Sequence, residues 1–346
     1  MDVMTPRGLK NPGKLSLVNA TLQALLSCTP FVQVVCELEK CHIQRDEHPT
    51  LHAFSSLITK VDIPFHQSNG RREPFSAVII FKGIIKKYLA GLPQRPSDGM
   101  KNIDAQEFLA FMINEMHEEL LKLRGSSSVQ DNWETIQRTS ISPAIWKKKF
   151  VPSELSDIFW GQQRTIVEPN EPFLEIVQPF LVLHLNISPS NVHTIEDSLR
   201  LHFGTKNNEG YRSSKDYVDK NSAGKSTKIE KLPRILILHL MRFSFENSGF
   251  VKFDKPVKFP SYLEMENDLL ASPTQHQRIL YELVGSVTHH GSKSSTGHYT
   301  ADIKYPEGPW MRCDDEKIAP VSSSDVFHDH AYILLYERLC CCDRTF

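Results

Sequence analysis

The sequence predicts an α+β fold, with helices gathered in the first third of the chain and strands in the last two thirds. Three observations carry this. Apolar residues recur at helical spacing in two early segments. Alternating and continuous apolar runs of strand length begin only in the second half. No strand–helix–strand rhythm of the βαβ kind connects them.

The first helical stripe is Val18, Leu22, Leu25 and Leu26, which Pro30 is expected to stop. The second is better marked. Asp104-Ala-Gln-Glu107 is a capping-box type start, and Phe108, Phe111, Met112, Met116 and Leu120 follow on one face. Between them the chain reads as short helical or loop pieces without repeats. Residues 125–142 (GSSSVQDNWETIQRTSIS) are polar and Ser-rich, which predicts a loop or insertion.

Strand signals follow at Arg164–Val167 and at Leu181, Leu183, Leu185 and Ile187, which alternate. Thr194 to Phe203 reads as a short helix, and the polar stretch 204–228 as a solvent loop or hairpin tip. ILILHLM at 235–241, introduced by Pro233, has the unbroken apolar character of the most buried strand. Further strands are expected near 281–288, 298–304 and 331–337.

Composition narrows the function classes. Of 346 residues, 40% are apolar and 23% charged, ordinary for a globular chain of one large or about two ordinary domains. Lys and Arg number 40 against 41 Asp and Glu, so no global field favours nucleic acid or an anionic membrane. No apolar run reaches the ~18 residues a membrane span needs. The first residues lack an apolar signal core, so cytoplasm and/or nucleus is the expected location. The seven cysteines are odd in number, irregularly spaced and without a CxxC pair, which argues against disulfides and zinc. Cys36, Cys41 and His42 fall short of four metal ligands. His328 and His330 read as a solvated loop, and Cys340, Cys341 and Cys342 as part of an unstructured tail. No metal or cofactor is expected.

Three polar stretches sit where packing alone would not ask for them. Gly8–Asn19 is a Gly-containing turn running into a helix start, a place that stabilises an anion through free N–H groups and the helix dipole. Gly297-His298-Tyr299 heads one strand, and Trp310–Asp315 ends the next. An imidazole and an acid on neighbouring strands, facing a helix start, form a nucleophile–base–orienter arrangement. Plainer roles are available to each residue. Ser16 suits a helix N-cap, Asp104 a cap with Glu107, and Asn11 before Pro12-Gly13 a turn.

Taken together these stretches resemble the ubiquitin-specific protease family. Its nucleophile motif G-L-x-N-x-G-N-T-C-Y-M-N is matched by GLKNPGKLSLVN at 8–19, and Q-D-A-x-E-F by IDAQEF at 103–108. Its H-L-x-R-F block is matched within Pro233–Phe243, and its H-x-G…G-H-Y block within 281–299. Its W-x-x-x-D-D and A-Y-x-L-x-Y blocks appear as Trp310–Asp315 and Ala331–Tyr336. The blocks keep the family's order over nearly the whole chain. The NATLQALLSC and DNWE segments are most similar to the subgroup of ubiquitin carboxyl-terminal hydrolase ten and its plant relatives.

The resemblance implies a papain-like fold shaped as a hand, in one catalytic domain over 8–338. The thumb would be about 8–125, the fingers about 155–230 and the palm the remainder, with a disordered tail at 339–346. Ser16 and His298 lie much further apart than the about 130–150 residues of a minimal papain-type chain, which an inserted fingers sheet explains. Many relatives hold the fingertips with two CxxC pairs on zinc, and their absence implies metal-free fingers. The resemblance further assigns His298 as general base, Asp314 as its orienter and Asn11 as an oxyanion-hole donor. Asp104, Gly297, Tyr299 and Asp315 would meet the ubiquitin tail. Ubiquitin and ubiquitinated proteins are the implied partners, with no nucleic acid and no membrane.

One departure dominates. Ser16 stands where the family carries its nucleophilic cysteine, Lys14 replaces the usual Asn, and Leu17 replaces an aromatic. A thiol beside an imidazole ionises readily, whereas a hydroxyl must lose its proton during attack. The expectation is a ubiquitin-binding protein with impaired hydrolysis, a pseudoenzyme. The alternative is an active ubiquitin carboxyl-terminal hydrolase using Ser16.

Overall fold

Helix α1, Ser16–Leu26, is buried from Ser16 to Leu25, so its polar members need partners inside the protein. Thr21 Oγ1 donates to the Leu17 carbonyl at 2.8 Å, and Gln23 Nε2 to the Arg7 carbonyl at 2.7 Å. Around it stand α2 (Thr29–Glu39), α3 (Pro49–Val61), α4 (Ala77–Ile80), α5 (Lys82–Gly91), α6 (Ala105–Leu123) and α7 (Glu154–Phe159). The computed structural model describes residues 6–13, 15–41, 43–61, 73–92, 103–125, 133–136, 144–148, 150–168, 174–204, 224–246, 249–273, 278–293, 296–305 and 308–339.

This half is more helical than the sequence suggested. Leu51, Phe54, Leu57, Ile58 and Val61 form a buried stripe on α3. Pro30 does less to stop α1 than to open α2, since a proline in the first turn lacks only an N–H that would have no helical partner. The expected start of α6 is present: Asp104 Oδ1 accepts from the Gln106 and Glu107 N–H groups at 2.8 and 3.2 Å.

Five strands form a first sheet: β1 (Trp133–Ile136), β2 (Ala144–Lys148), β3 (Gly161–Glu168), β4 (Leu174–Phe180) and β6 (Gly224–Lys231), in the order β1-β2-β4-β3-β6. Two differences from the sequence reading arise here. The sheet takes in strands before residue 155, and β1 lies inside the 125–142 stretch read as a loop or insertion. β6 begins within the 204–228 stretch read as a solvent loop or hairpin tip. GKSTKIEK offers little apolar alternation, so pairing to β3 defines it more than burial does. Residues 205–223 and 340–346, with the three terminal cysteines, lie outside the described residues.

The second sheet runs β14 (Lys317–Val321), β13 (Trp310–Asp314), β12 (Thr296–Lys304), β11 (Ile279–Lys293), β15 (Ala331–Arg338), β7 (Ile235–Leu240) and β5 (Val182–Leu185), and β10 (Tyr262–Met265) pairs with β11. Its two faces serve two cores. On β7, Ile235 and Ile237 face the helices, while Leu236, Leu238 and Leu240 pack with Ile195, Leu199 and Phe203 of α8 (Ile195–Phe203). That two-sided burial is why ILILHL reads as an unbroken apolar run. The remaining elements are the hairpin β8 (Phe243–Glu246) with β9 (Gly249–Lys252) and the helix α9 (Ser323–His328).

Buried Arg242 ties the hairpin region to β15. Its Nε donates to the Ala331 carbonyl at 2.7 Å, and its Nη1 to the Phe253 and Lys255 carbonyls at 3.1 and 2.9 Å. Burial pushes its guanidinium down to about 10. Among the described residues no single helix is long and apolar enough to cross a membrane.

Candidate active site

Helix α1 packs against β12 and β11, which brings its N-terminus to the head of β12. Ser16 is the first helical residue and not the cap; Leu15 occupies the N-cap position without a side-chain cap bond. The Ser16 hydroxyl instead accepts the backbone N–H of Tyr299 at 3.1 Å, across the junction of helix and sheet. Only 4% exposed, Ser16 sits directly beside the backbone that carries His298. Among the described residues no hydrogen bond joins Ser16 to the His298 ring. Leu17 is buried in the core, and Lys14 lies outside the described residues.

His298 on β12 and Asp314 at the end of β13 meet at 2.6 Å, Nε2 to Oδ1. Both side chains are open to solvent, at 42% and 43%. With Nε2 bound to the acid, Nδ1 is the nitrogen left for proton transfer, so the pair has the orientation a general base needs.

A second set of bonds assembles the turn before α1. Asn11 accepts the Leu15 N–H on Oδ1 at 2.7 Å and donates through Nδ2 to Asp315 Oδ2 at 2.8 Å. Asn19 Nδ2 donates to Asp315 Oδ1 at 2.8 Å and to the Leu9 carbonyl at 3.1 Å. Two amides therefore hold both oxygens of Asp315, whose backbone sits at φ 51. Leu9 N–H in turn donates to the Asp315 carbonyl at 2.8 Å. Gly8 permits this approach, because a Cβ there would stand 2.3 Å from the Glu316 carbonyl oxygen. Asn11 is thus more than a turn former.

Asp104 is reached from a third direction. Besides capping α6, its Oδ2 accepts the Tyr332 hydroxyl at 2.5 Å. Burial pushes its carboxyl up, against the pull of Tyr332 and the two backbone donors. Tyr299 and Tyr332 are pushed up chiefly by burial, and burial lowers His239 to about 3 and His289 to about 4. Gly297 is exposed, and a Cβ there would lie 2.1 Å from His289 Nε2, so the ring of His289 holds this position to glycine.

His298, Asp314 and Asp315 bring one nitrogen and two carboxylates within 4.8 Å of one another, the one three-residue grouping among the described residues close enough for a metal. Their donor atoms are already engaged with one another or with the two amides, which suits an acid–base pair better than an ion. His328 is satisfied by the Ser324 carbonyl at 2.6 Å. The sequence reading missed Asn19, His289 and Tyr332. All three stand inside quoted motif blocks, so the signal was present, and only the fold showed what they touch.

A helix-borne nucleophile position, an imidazole–carboxylate pair on adjacent strands and an inserted sheet define a papain-like hydrolase scaffold. The family described as ubiquitin carboxyl-terminal hydrolase matches residues 7–336. Ubiquitin carboxyl-terminal hydrolase 24 of Arabidopsis thaliana is 41% identical over 97% of this chain and 65% of its own length. Ubiquitin carboxyl-terminal hydrolase 10 of Xenopus tropicalis is 27% identical over 97% of this chain and 48% of its own. This chain therefore spans about half to two thirds of the length of these relatives. A solved SAGA Ubp8/Sgf11/Sus1/Sgf73 DUB module bound to ubiquitin aldehyde shares the fold at a TM-score of 0.72, with 21% identity over 97% of this chain and 70% of that one. The chain belongs to the ubiquitin carboxyl-terminal hydrolase family of ubiquitin-specific proteases.

Proposed function

We propose that this protein binds ubiquitin or ubiquitin conjugates through its cleft while hydrolysing them poorly or not at all. The observation that carries the reading is Ser16, an alcohol at the helix start beside an assembled His298–Asp314 pair. Its oxygen accepts the Tyr299 N–H, which draws on the lone pairs that attack requires. Serine hydrolases compensate the poor acidity of a hydroxyl with a base hydrogen-bonded to it and an oxyanion hole set for the shorter C–O bond. Here the Asn11 amide serves Asp315 and Leu15, and no such base contact to Ser16 is formed among the described residues.

Binding is supported by what remains. The family membership supports it, and Asp104, held by the Gln106 and Glu107 N–H groups and the Tyr332 hydroxyl, keeps a carboxylate fixed at the start of α6. A second reading, slow hydrolysis by Ser16 with His298 as base, draws on the 2.6 Å His298–Asp314 contact. Two measurements on the native chain separate these readings. Titration with mono-ubiquitin is expected to show saturable binding, and a fluorogenic ubiquitin C-terminal amide is expected to show no turnover above buffer. Absent binding removes the proposal; turnover lost in Ser16→Ala establishes the second reading.

A further inference from the structure

A histidine pair lies at the open edge of the second sheet, outside the nucleophile and its base. β5 is the last strand of that sheet, and its His184 is the register partner of His239 on β7. The two Nδ1 atoms stand 2.9 Å apart, with ring planes at 87°. His184 is exposed and His239 is partly covered. Nitrogens about 2.0–2.1 Å from one ion and about 90° apart, as in square-planar or octahedral sites, are separated by about 2.9 Å.

We propose that His184 and His239 form a cis bis-imidazole site for a divalent transition metal ion of the copper(II) or nickel(II) kind. The sheet fixes both backbones in register, so ordering the two ligands costs little on binding. In the metal-free pair one Nδ1–H donates to the other Nδ1. Binding needs that proton on Nε2 of the same ring, a change of tautomer that releases no net proton. Exposure of His184 lets the ion enter and lets water complete its coordination. Asp104 adds negative charge close enough to be felt at His184. In the absence of metal one N–H···N bond joins the two Nδ1 atoms, while Nε2 of His239 is buried without a hydrogen-bond partner.

The test titrates the full chain with copper(II) alone, against glycine as a competing chelator, and reads electron paramagnetic resonance. The expected result is one tight equivalent with imidazole-nitrogen couplings, at least tenfold weaker in both His184→Ala and His184→Gln and unchanged in His298→Ala. His184→Ala removes the partner of His239 Nδ1, so both variants are checked for a cooperative unfolding transition, and the exposed His184→Gln, which can still hydrogen-bond, should keep the native midpoint. Equal affinity in the native chain and the His184 variants, or loss of the site in His298→Ala instead, overturns the proposal.

Discussion

The two halves of the cleft meet at Tyr299 and differ in how they are held. On one side, His298 and Asp314 project from adjacent strands, are open to solvent and bind each other at 2.6 Å. On the other, Ser16 begins a buried helix, is nearly covered and takes a backbone N–H for its partner. Strand register alone places the acid and the imidazole, so that half persists whatever stands opposite. The helix half is placed by packing too, but its chemistry depends on a single atom that packing does not specify. The proposed loss of reaction therefore rests on that one atom, while the imidazole–carboxylate geometry is kept.

That contrast is sharpened first by a variant of the exposed half. In a chain already carrying Ser16→Cys, His298→Ala should reduce kcat/KM on a fluorogenic ubiquitin amide by about 10²–10⁴-fold, the usual worth of a positioned general base. Retained activity would show that the exposed half takes no part in the chemistry.

A smaller effect concerns the uncharged wall behind both halves. Burial holds His239 at about 3 and His289 at about 4, against about 6.5 in the unfolded chain. Between about pH 6.5 and 4 the unfolded chain binds protons that the native state does not, so stability is full above this window and falls as pH drops through it. Each ring accounts for about 2 kcal/mol lost between pH 7 and pH 5. Denaturant unfolding at those two pH values should show His289→Phe losing about 2 kcal/mol less than the native chain on acidification. Equal losses would mean that His289 is not held neutral.

Much of this was legible in the sequence. His298 and Asp314 could be paired from motif blocks on successive strands, and Asp104 was recognised as a helix start from Glu107 and the apolar stripe behind it. α6 was clear from its periodic buried face, and β7 from an unbroken apolar run that is buried on both sides. β1 and β6 were not, because polar strands are made by their neighbours' hydrogen bonds. The role of Ser16 as the first helical residue, bonded to Tyr299, was equally hidden: an N-cap and an N1 serine look alike until the packing of α1 on β12 is known. Nor could the sequence show that His289 fills the space beside Gly297, or that Asp104 also receives the Tyr332 hydroxyl.

Ser16→Cys, assayed beside the native chain with a fluorogenic ubiquitin amide and an electrophilic ubiquitin label, asks whether oxygen in place of sulfur is the main lesion. The account predicts a silent native chain and, in the variant, labelling together with turnover at least about 100-fold above it. A native chain that cleaves ubiquitin as fast as the cysteine variant would contradict it.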